Sequence, residues 1–411
     1  MAEIALTPCR SCGSTSLRPF LSLGKTPLAD ALVTADQLSC AEPTFPLDVA
    51  FCTSCTLVQI LEEVPPKQLF VDNYLYFSSF SDFLLRHARA HVDRLVTSRG
   101  LDSSSLVVEL ASNDGYLLRN FLPHGVRVLG VDPAPDQAQA ARQAGVPTLQ
   151  EFFGRDVARR IRHEHGPADV IIANNVMAHV PALNDFVGGI AELLADDGLV
   201  TVENPWVKAL VDQGQFDTIY HEHLYYYSCG SVDTLVRRHG MALQHVEYFP
   251  DLHGGTLRWH IGRRDEVSPE ARRLLDLEQS SGVTTFDYYK DFGRRVEEIR
   301  HRLLALLGDL KASGATIAGY GAAAKGSTML NYTGIGPDLL DYVVDRNTWK
   351  QGKYMPGVHV PIRPVEALLE EQPDYVLILA WNFTDEILDQ QAEYRRRGGR
   401  FVRPVPTPEI L

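Results

Sequence analysis

Four short apolar runs, each followed by a stretch with helical spacing, constrain this chain more than any other feature: residues 106–110, 126–131, 168–173 and 198–203. Runs of this length alternating with helical segments predict βαβ units, and hence a parallel sheet flanked by helices. The rhythm restarts at 315–321, 340–345 and 375–380, so a second, smaller α/β unit is expected. Between the two, residues 268–312 place charged and apolar residues at helical intervals, as in Arg295-Val296-Glu297-Glu298-Ile299, and read as a helical link. The segment before the first sheet is rich in cysteine, proline and turn residues, with short strand-like pieces such as 56–60. The expected organisation is an N-terminal segment 1–70, a central α/β unit 71–265, and a helical link with a C-terminal α/β unit 266–411.

A chain of 411 residues has material for more than one buried core. Its formal net charge of −13 argues against a nucleic-acid partner, which demands a basic surface. A local basic pocket for one phosphorylated small molecule is compatible with it. The first residues, MAEIALTPCRSCGS, have neither a basic n-region nor an apolar h-region, and no run of 18 apolar residues occurs. The expectation is a cytoplasmic protein with no membrane partner. In that compartment, two tight cysteine pairs read as a metal site before a disulfide.

The pairs are Cys9-x-x-Cys12 and Cys52-x-x-Cys55. Each spacing lets two thiolates bind one ion from a tight turn, and two pairs complete a tetrahedral sulfur shell that suits Zn²⁺. With no open position for water, the expected site is structural, a zinc ribbon or knuckle. Cys40 and Cys229 read as ordinary thiols.

A cofactor site is expected where the first central strand ends, at Glu109-Leu110-Ala111-Ser112-Asn113-Asp114-Gly115. Sheets that bind S-adenosylmethionine (SAM) carry an acid and small residues here, with Gly common where this chain has Ala111. Glu109 and Asn113 are placed to meet the amino and carboxylate groups of the methionine moiety, with Ala111 and Gly115 giving backbone approach. Asp132 ends the second strand, where an acid binds ribose hydroxyls. The loop lacks the GxGxxG fingerprint that a pyrophosphate needs, which disfavours NAD. Phe153 follows the third strand, where an aromatic covers adenine, and Asn174 and Asn175 end the fourth.

The stretch Tyr220-His221-Glu222-His223-Leu224-Tyr225-Tyr226-Tyr227 gathers two His, one Glu and four Tyr just after the cofactor sheet. It is not HExxH, so it is not a zinc-protease helix. With Tyr74-x-Tyr76-x-Ser78-Ser79, Asn175-x-x-x-His179-x-Pro181, His253-Gly254-Gly255, Gly319-Tyr320-Gly321-Ala322-x-Ala324-Lys325 and Ile335-Gly336-Pro337-Asp338, the chain resembles, over essentially its whole length, the sugar C-methyltransferases that act on nucleotide-linked 4-keto deoxysugars in antibiotic biosynthesis. The resemblance implies an N-terminal zinc-binding segment, a Rossmann-like SAM methyltransferase domain and a smaller Rossmann-like C-terminal domain. It also implies a monomer that methylates a dTDP-4-keto deoxysugar next to the ketone, at C3 in preference to C5.

Further roles follow from that resemblance. His223 maps to the base that removes the acidic proton. Tyr220 donates to the developing oxyanion, and Glu222 orients or tunes neighbouring groups. Tyr74, Tyr76, His179 and His253 become pocket residues, while His221 stays a flanking residue. The C-terminal Gly-rich loop, with Tyr320, Ala322 and Lys325, and the later Lys350, becomes the holder of the dTDP part, through backbone N–H groups at a helix start. Three alternatives stand beside this reading: an O- or N-methyltransferase on a nucleotide-linked sugar, an NAD-dependent oxidoreductase, and a non-catalytic zinc-anchored binding module.

Overall fold

The computed structural model describes residues 8–70 and 77–411, built on three sheets. Strands β1 (Leu17–Thr26), β2 (Phe45–Cys52) and β3 (Val58–Ile60) form an antiparallel meander. Of the second cysteine pair, Cys52 ends β2 and Cys55 sits in the turn before β3.

The central sheet opens with β4 (Leu106–Leu110), β5 (Arg127–Val131), β6 (Thr148–Leu149), β7 (Ala168–Asn174) and β8 (Leu194–Pro205), all parallel. β4 is buried along its whole length, as a strand covered on both faces must be. The chain then leaves this sheet, and β9 (Tyr225–Tyr226) pairs with β3 of the N-terminal meander. β10 (Ala242–Phe249) and β11 (Thr256–Gly262) return to the central sheet, with β11 antiparallel to both β8 and β10. The order is β10-β11-β8-β7-β4-β5-β6. The chain proceeds outward from β4 through β5 and β6, then crosses back to β7 on the other side. The carboxyl ends of β4 and β7 thus flank a topological switch point, where open α/β sheets bind ligands.

Helices Pro269–Ser280 and Phe292–Ala312 fill the expected link. The third sheet comprises β12 (Ile317–Tyr320), β13 (Tyr342–Val344), β14 (Ile362–Arg363), β15 (Tyr375–Ile378), β16 (Arg400–Arg403) and β17 (Glu409–Ile410), in the order β14-β13-β12-β15-β16-β17. Five strands are parallel and β17 is antiparallel. Its switch point lies between β12 and β15, where the loop Gly321–Ala323 leads into the helix Ala324–Thr333. The N-terminal segment clasps this third unit: Val33 and Tyr354 exchange backbone hydrogen bonds of 3.0 and 2.8 Å, and Glu42 accepts from Gly357 N–H at 3.0 Å. Among the described residues, no helix is long and apolar enough to cross a membrane.

Candidate active site

The four cysteine sulfurs lie within 4.8 Å of one another, with Cys9–Cys55 at 3.5 Å and Cys12–Cys52 at 3.6 Å. Four thiolates around Zn²⁺ at 2.3 Å would stand about 3.8 Å apart, so this cluster fits the ion and is far too open for disulfides. Cys229 is buried elsewhere, and Cys40 is exposed on the wall of the cleft described below.

The loop after β4 has the strained shape of a ligand cradle. Ala111 and Asn113 hold φ of 54° and 50°, and Gly115 holds 74°. The left-handed conformation at Ala111 explains why Gly is common there, since a Cβ costs about 1–2 kcal/mol in it. At Gly115, a Cβ would also press on Val146 at 3.0 Å. Asp132 accepts from the backbone N–H of Asn113 at 2.8 Å and of Ala134 at 2.9 Å, which ties the ends of β4 and β5 together. Burial pushes its carboxyl up to about 6. Glu109 is raised well above the carboxylate range by burial and by the acids Asp132 and Asp114. Buried oxygens Glu109 Oε2, Ser112 Oγ, Asp114 Oδ1 and Asn174 Oδ1 have no partner within the protein. Converging acids and orphaned acceptors suit a cationic, hydroxyl-rich ligand, and SAM, with its ammonium, sulfonium and ribose, is one. Asn175, with φ of 52°, hands its N–H to the Glu203 carbonyl at 2.7 Å. The ring of Phe153 packs edge-on to Phe186, whereas its neighbour Phe152 is the exposed aromatic at this strand exit.

Beside these strand ends, a buried ion cluster braces the sheet. The guanidinium of Arg258 is 0% exposed and donates from Nε to Glu203 Oε1 at 2.6 Å, and His87 Nε2 meets the same carboxylate at 3.0 Å.

The Tyr-rich segment 220–227 is stitched to the strand exit of β7. Leu224 N–H donates to Ala178 O at 2.8 Å, Tyr227 Oη to Met177 O at 2.9 Å, and Tyr225 Oη to Pro181 O at 3.1 Å. Three of the four tyrosines are therefore buried fasteners, Tyr226 closing on the His223 carbonyl at 3.0 Å. His221 turns away to the Pro46 carbonyl at 3.1 Å. Tyr220, Glu222 and His223 remain with His179. His223 Nδ1 lies 2.9 Å from the Thr218 carbonyl, which only accepts, so Nδ1 carries the proton. Its Nε2 lone pair faces the Tyr220 hydroxyl at 3.0 Å. Burial, reinforced by His179, holds the His223 imidazolium well below its ordinary range, so the ring is a neutral base at pH 7. His179 stands with its ring centroid 4.9 Å from that of His223, and its Nδ1 donates to the Glu222 carbonyl at 2.5 Å. Burial, with the nearby Asp30 carboxylate, pushes Glu222 up to about 8.

All three units wall a cleft of about 1260 Å³. Tyr220, Glu222, His253, Lys325 and Lys350 line it, as do Phe80, Asp345, Arg346, Lys353 and Trp349. His253 begins a turn in which His253, Gly254 and Gly255 all have positive φ (52°, 84° and 116°). Lys350 Nζ donates to the Ala322 carbonyl at 2.7 Å, and the Ala322 N–H is committed to Asp345 at 2.7 Å. Tyr320 faces a separate hollow with Gln390 and Gln391. Tyr74 and Tyr76 lie outside the described residues. The sequence reading passed over Asp217, Trp381 as a partner of that acid, and Arg258, because no local pattern marks a residue whose role is to pair across the chain.

Compared with known proteins, the chain is 37% identical to C-methyltransferase NovU of Streptomyces niveus over 406 residues, 98% of this chain and 96% of that protein. The chain belongs to the C-methyltransferase family. Family models agree along its length: "Putative zinc binding domain" at 9–70, "Methyltransferase domain" at 82–246 and "C-methyltransferase C-terminal domain" at 251–406. Among solved structures, magnesium protoporphyrin IX methyltransferase of Synechocystis with bound SAM is 14% identical and covers 48% of this chain and 89% of its own, at a TM-score of 0.35. A SAM-dependent methyltransferase of Clostridium acetobutylicum is 10% identical and covers 45% and 92%, at 0.36. These scores add nothing to what the strand order already shows. This C-methyltransferase thus uses SAM, and its four clustered cysteines are its zinc-binding site.

Proposed function

We propose that this C-methyltransferase methylates a dTDP-linked 4-keto deoxysugar at a carbon next to the ketone, C3 in preference to C5, in the biosynthesis of an antibiotic deoxysugar. The observation that carries the reading is the fixed tautomer of His223: a neutral imidazole whose basic Nε2 meets the Tyr220 phenol, which lines the cleft together with the neutral Glu222 carboxyl. Carbon accepts an electrophilic methyl group when it is made nucleophilic, and a proton next to a ketone is acidic because the enolate places charge on oxygen. His223 Nε2 takes that proton. The C–H electron pair becomes the enolate double bond, and the carbonyl pair moves to oxygen. Tyr220, released from Nε2 when the substrate enters, donates to the oxygen, and Glu222, protonated at neutral pH, orients the sugar. SAM supplies the electrophilic methyl group for the enolate carbon. Glu109, Ala111, Asn113, Gly115 and Asp132 hold its methionine and ribose parts, with Asn174, Asn175 and Phe153 around it. His179 and His253 shape the sugar pocket. Lys350 serves the nucleotide end, held there by its bond to the Ala322 carbonyl.

The test is mass spectrometry of the purified protein with SAM and a dTDP-4-keto-2,6-dideoxy sugar in deuterated water. The expected result is one added methyl group, with deuterium exchange confined to the carbon next to the ketone. Methylation of oxygen or nitrogen, or a sugar that neither exchanges nor gains a methyl group while SAM binds, refutes the proposal.

A further inference from the structure

One buried cluster stands at the seam between the catalytic segment and the third sheet. Asp217 is 0% exposed; its Oδ2 accepts from the Trp381 indole N–H at 2.6 Å, and its Oδ1 has no partner within the protein. The same indole ring carries the Lys325 ammonium 4.5 Å from its centroid, and Lys325 Nζ reaches Asn382 Oδ1 at 3.4 Å. Lys325 shares the cleft wall with Tyr220, Glu222 and His253. Its positive charge bears on both His223 and His253. A cation meant only for a diphosphate has no need of a buried carboxylate and an indole face behind it. Among the described residues, the cleft wall also carries the cations Arg346, Lys350 and Lys353, on the loop after β13.

We propose that Lys325 serves the reacting end of the pocket: set by Asp217 and Trp381, its ammonium faces the ketone oxygen on which charge develops as His223 removes the proton. The inference rests on the enolate reading above and adds a catalytic residue to it. Lys325 keeps its proton throughout; only the C–H bond breaks, with the proton on His223 Nε2 and the displaced pair on oxygen. A fixed cation in a water-poor pocket does most where charge appears only in the transition state. Asp217 and Trp381 are positioning residues. Burial lowers the Lys325 ammonium to about 8, with Asp217 acting against the loss, so the charged form prevails at pH 7. Because Lys325 comes from the third unit and Asp217 from the catalytic segment, the cation is in place only when the two are docked.

The test compares wild type with Lys325→Met in three measurements: dTDP binding by calorimetry, deuterium uptake into the keto sugar with S-adenosylhomocysteine present, and the pH dependence of kcat/KM. The expected variant binds dTDP within about 2-fold of wild type, while exchange and kcat fall about 100-fold. Its acid limb moves to higher pH, because removing a neighbouring positive charge makes His223 easier to protonate. A variant with near-normal kcat and exchange overturns the proposal, as does one whose dTDP affinity falls tenfold or more, which would return Lys325 to the phosphates. Should Lys325→Met not fold, Asp217→Asn substitutes: the basic limb moves to lower pH under the proposal, and an unmoved limb overturns it. Wild type that takes up no deuterium sinks the enolate reading itself; normal wild-type exchange matched by Lys325→Met sinks only the role of Lys325.

Discussion

Replacing Glu203 by Gln should cost this protein several kcal/mol, because the carboxylate is the anion of a buried cluster. Glu203 is 1% exposed and Arg258 0%, with His87 closing the triad. Burial works to raise the Glu203 carboxyl, yet hydrogen bonding from His87 and the charge of Arg258 overcome it and bring the group down to about 2, from an ordinary 4.5. A difference of that size corresponds to about 3 kcal/mol favouring the ionised folded form. The independent figure for removing one partner of a buried pair, about 3–5 kcal/mol, agrees. Because the folded value is depressed, this stability is fully present above about pH 4.5 and is lost as pH falls towards 2. Urea denaturation followed through the central sheet should therefore show Glu203→Gln about 3 kcal/mol less stable at pH 7, with the same gap at pH 5.5. The gap should also persist in 0.5 M NaCl, since a buried pair is poorly screened. Replacing both partners, Glu203→Leu with Arg258→Met, should recover much of the loss. A Glu203→Gln loss under 1 kcal/mol, or one that disappears in salt, would refute the view that the triad is desolvated and net favourable.

The remaining predictions concern the zinc site and Glu222. Stripping zinc with a chelator, or Cys55→Ser, should free the β2–β3 turn and with it the strand Tyr225–Tyr226, so kcat falls at least tenfold while SAM affinity, measured calorimetrically, stays within about 3-fold. Loss of SAM binding in parallel would show that the meander supports the whole molecule rather than the catalytic segment. For Glu222, whose folded value is raised, the stability contributed by the protonated form is complete below about pH 4.5 and is lost as pH rises through about 8. The melting temperature of Glu222→Gln should therefore gain on wild type steadily from pH 5 to 8, and a gap independent of pH would contradict a buried, proton-holding carboxyl.

The strands were legible because their signal is local. The apolar runs at 106–110 and 168–173 fall within β4 and β7, and the restart at 315 marks β12. The cysteine spacing announced the metal cluster for the same reason. Side-chain duties within the Tyr-rich segment were not legible. Composition makes Tyr220, Tyr225, Tyr226 and Tyr227 equivalent, and only tertiary contacts separate one phenol beside a base from three that bond to carbonyls. Nor does any periodicity report that Trp381 reaches Asp217 across 164 positions of sequence. The aromatic expected at the third strand's exit was legible as a pair, Phe152 and Phe153, but which of the two turns inward depends on the helix Leu183–Leu193 packed beside them.

The pairing of β9 with β3 carries a consequence for synthesis. β3 is complete once Ile60 has been made, yet its neighbour Tyr225–Tyr226 is translated much later. At ribosomal speeds of 5–20 residues per second, the interval is roughly 10–30 s. During that time the meander, even with its metal bound, has an unpaired strand edge of the kind that recruits foreign strands. β3 is three residues long, with a sequence of Val58, Gln59 and Ile60, and a proline pair follows at Pro65 and Pro66. A template that short holds a stranger poorly, so the brevity of the strand protects the nascent chain until its own tyrosines arrive.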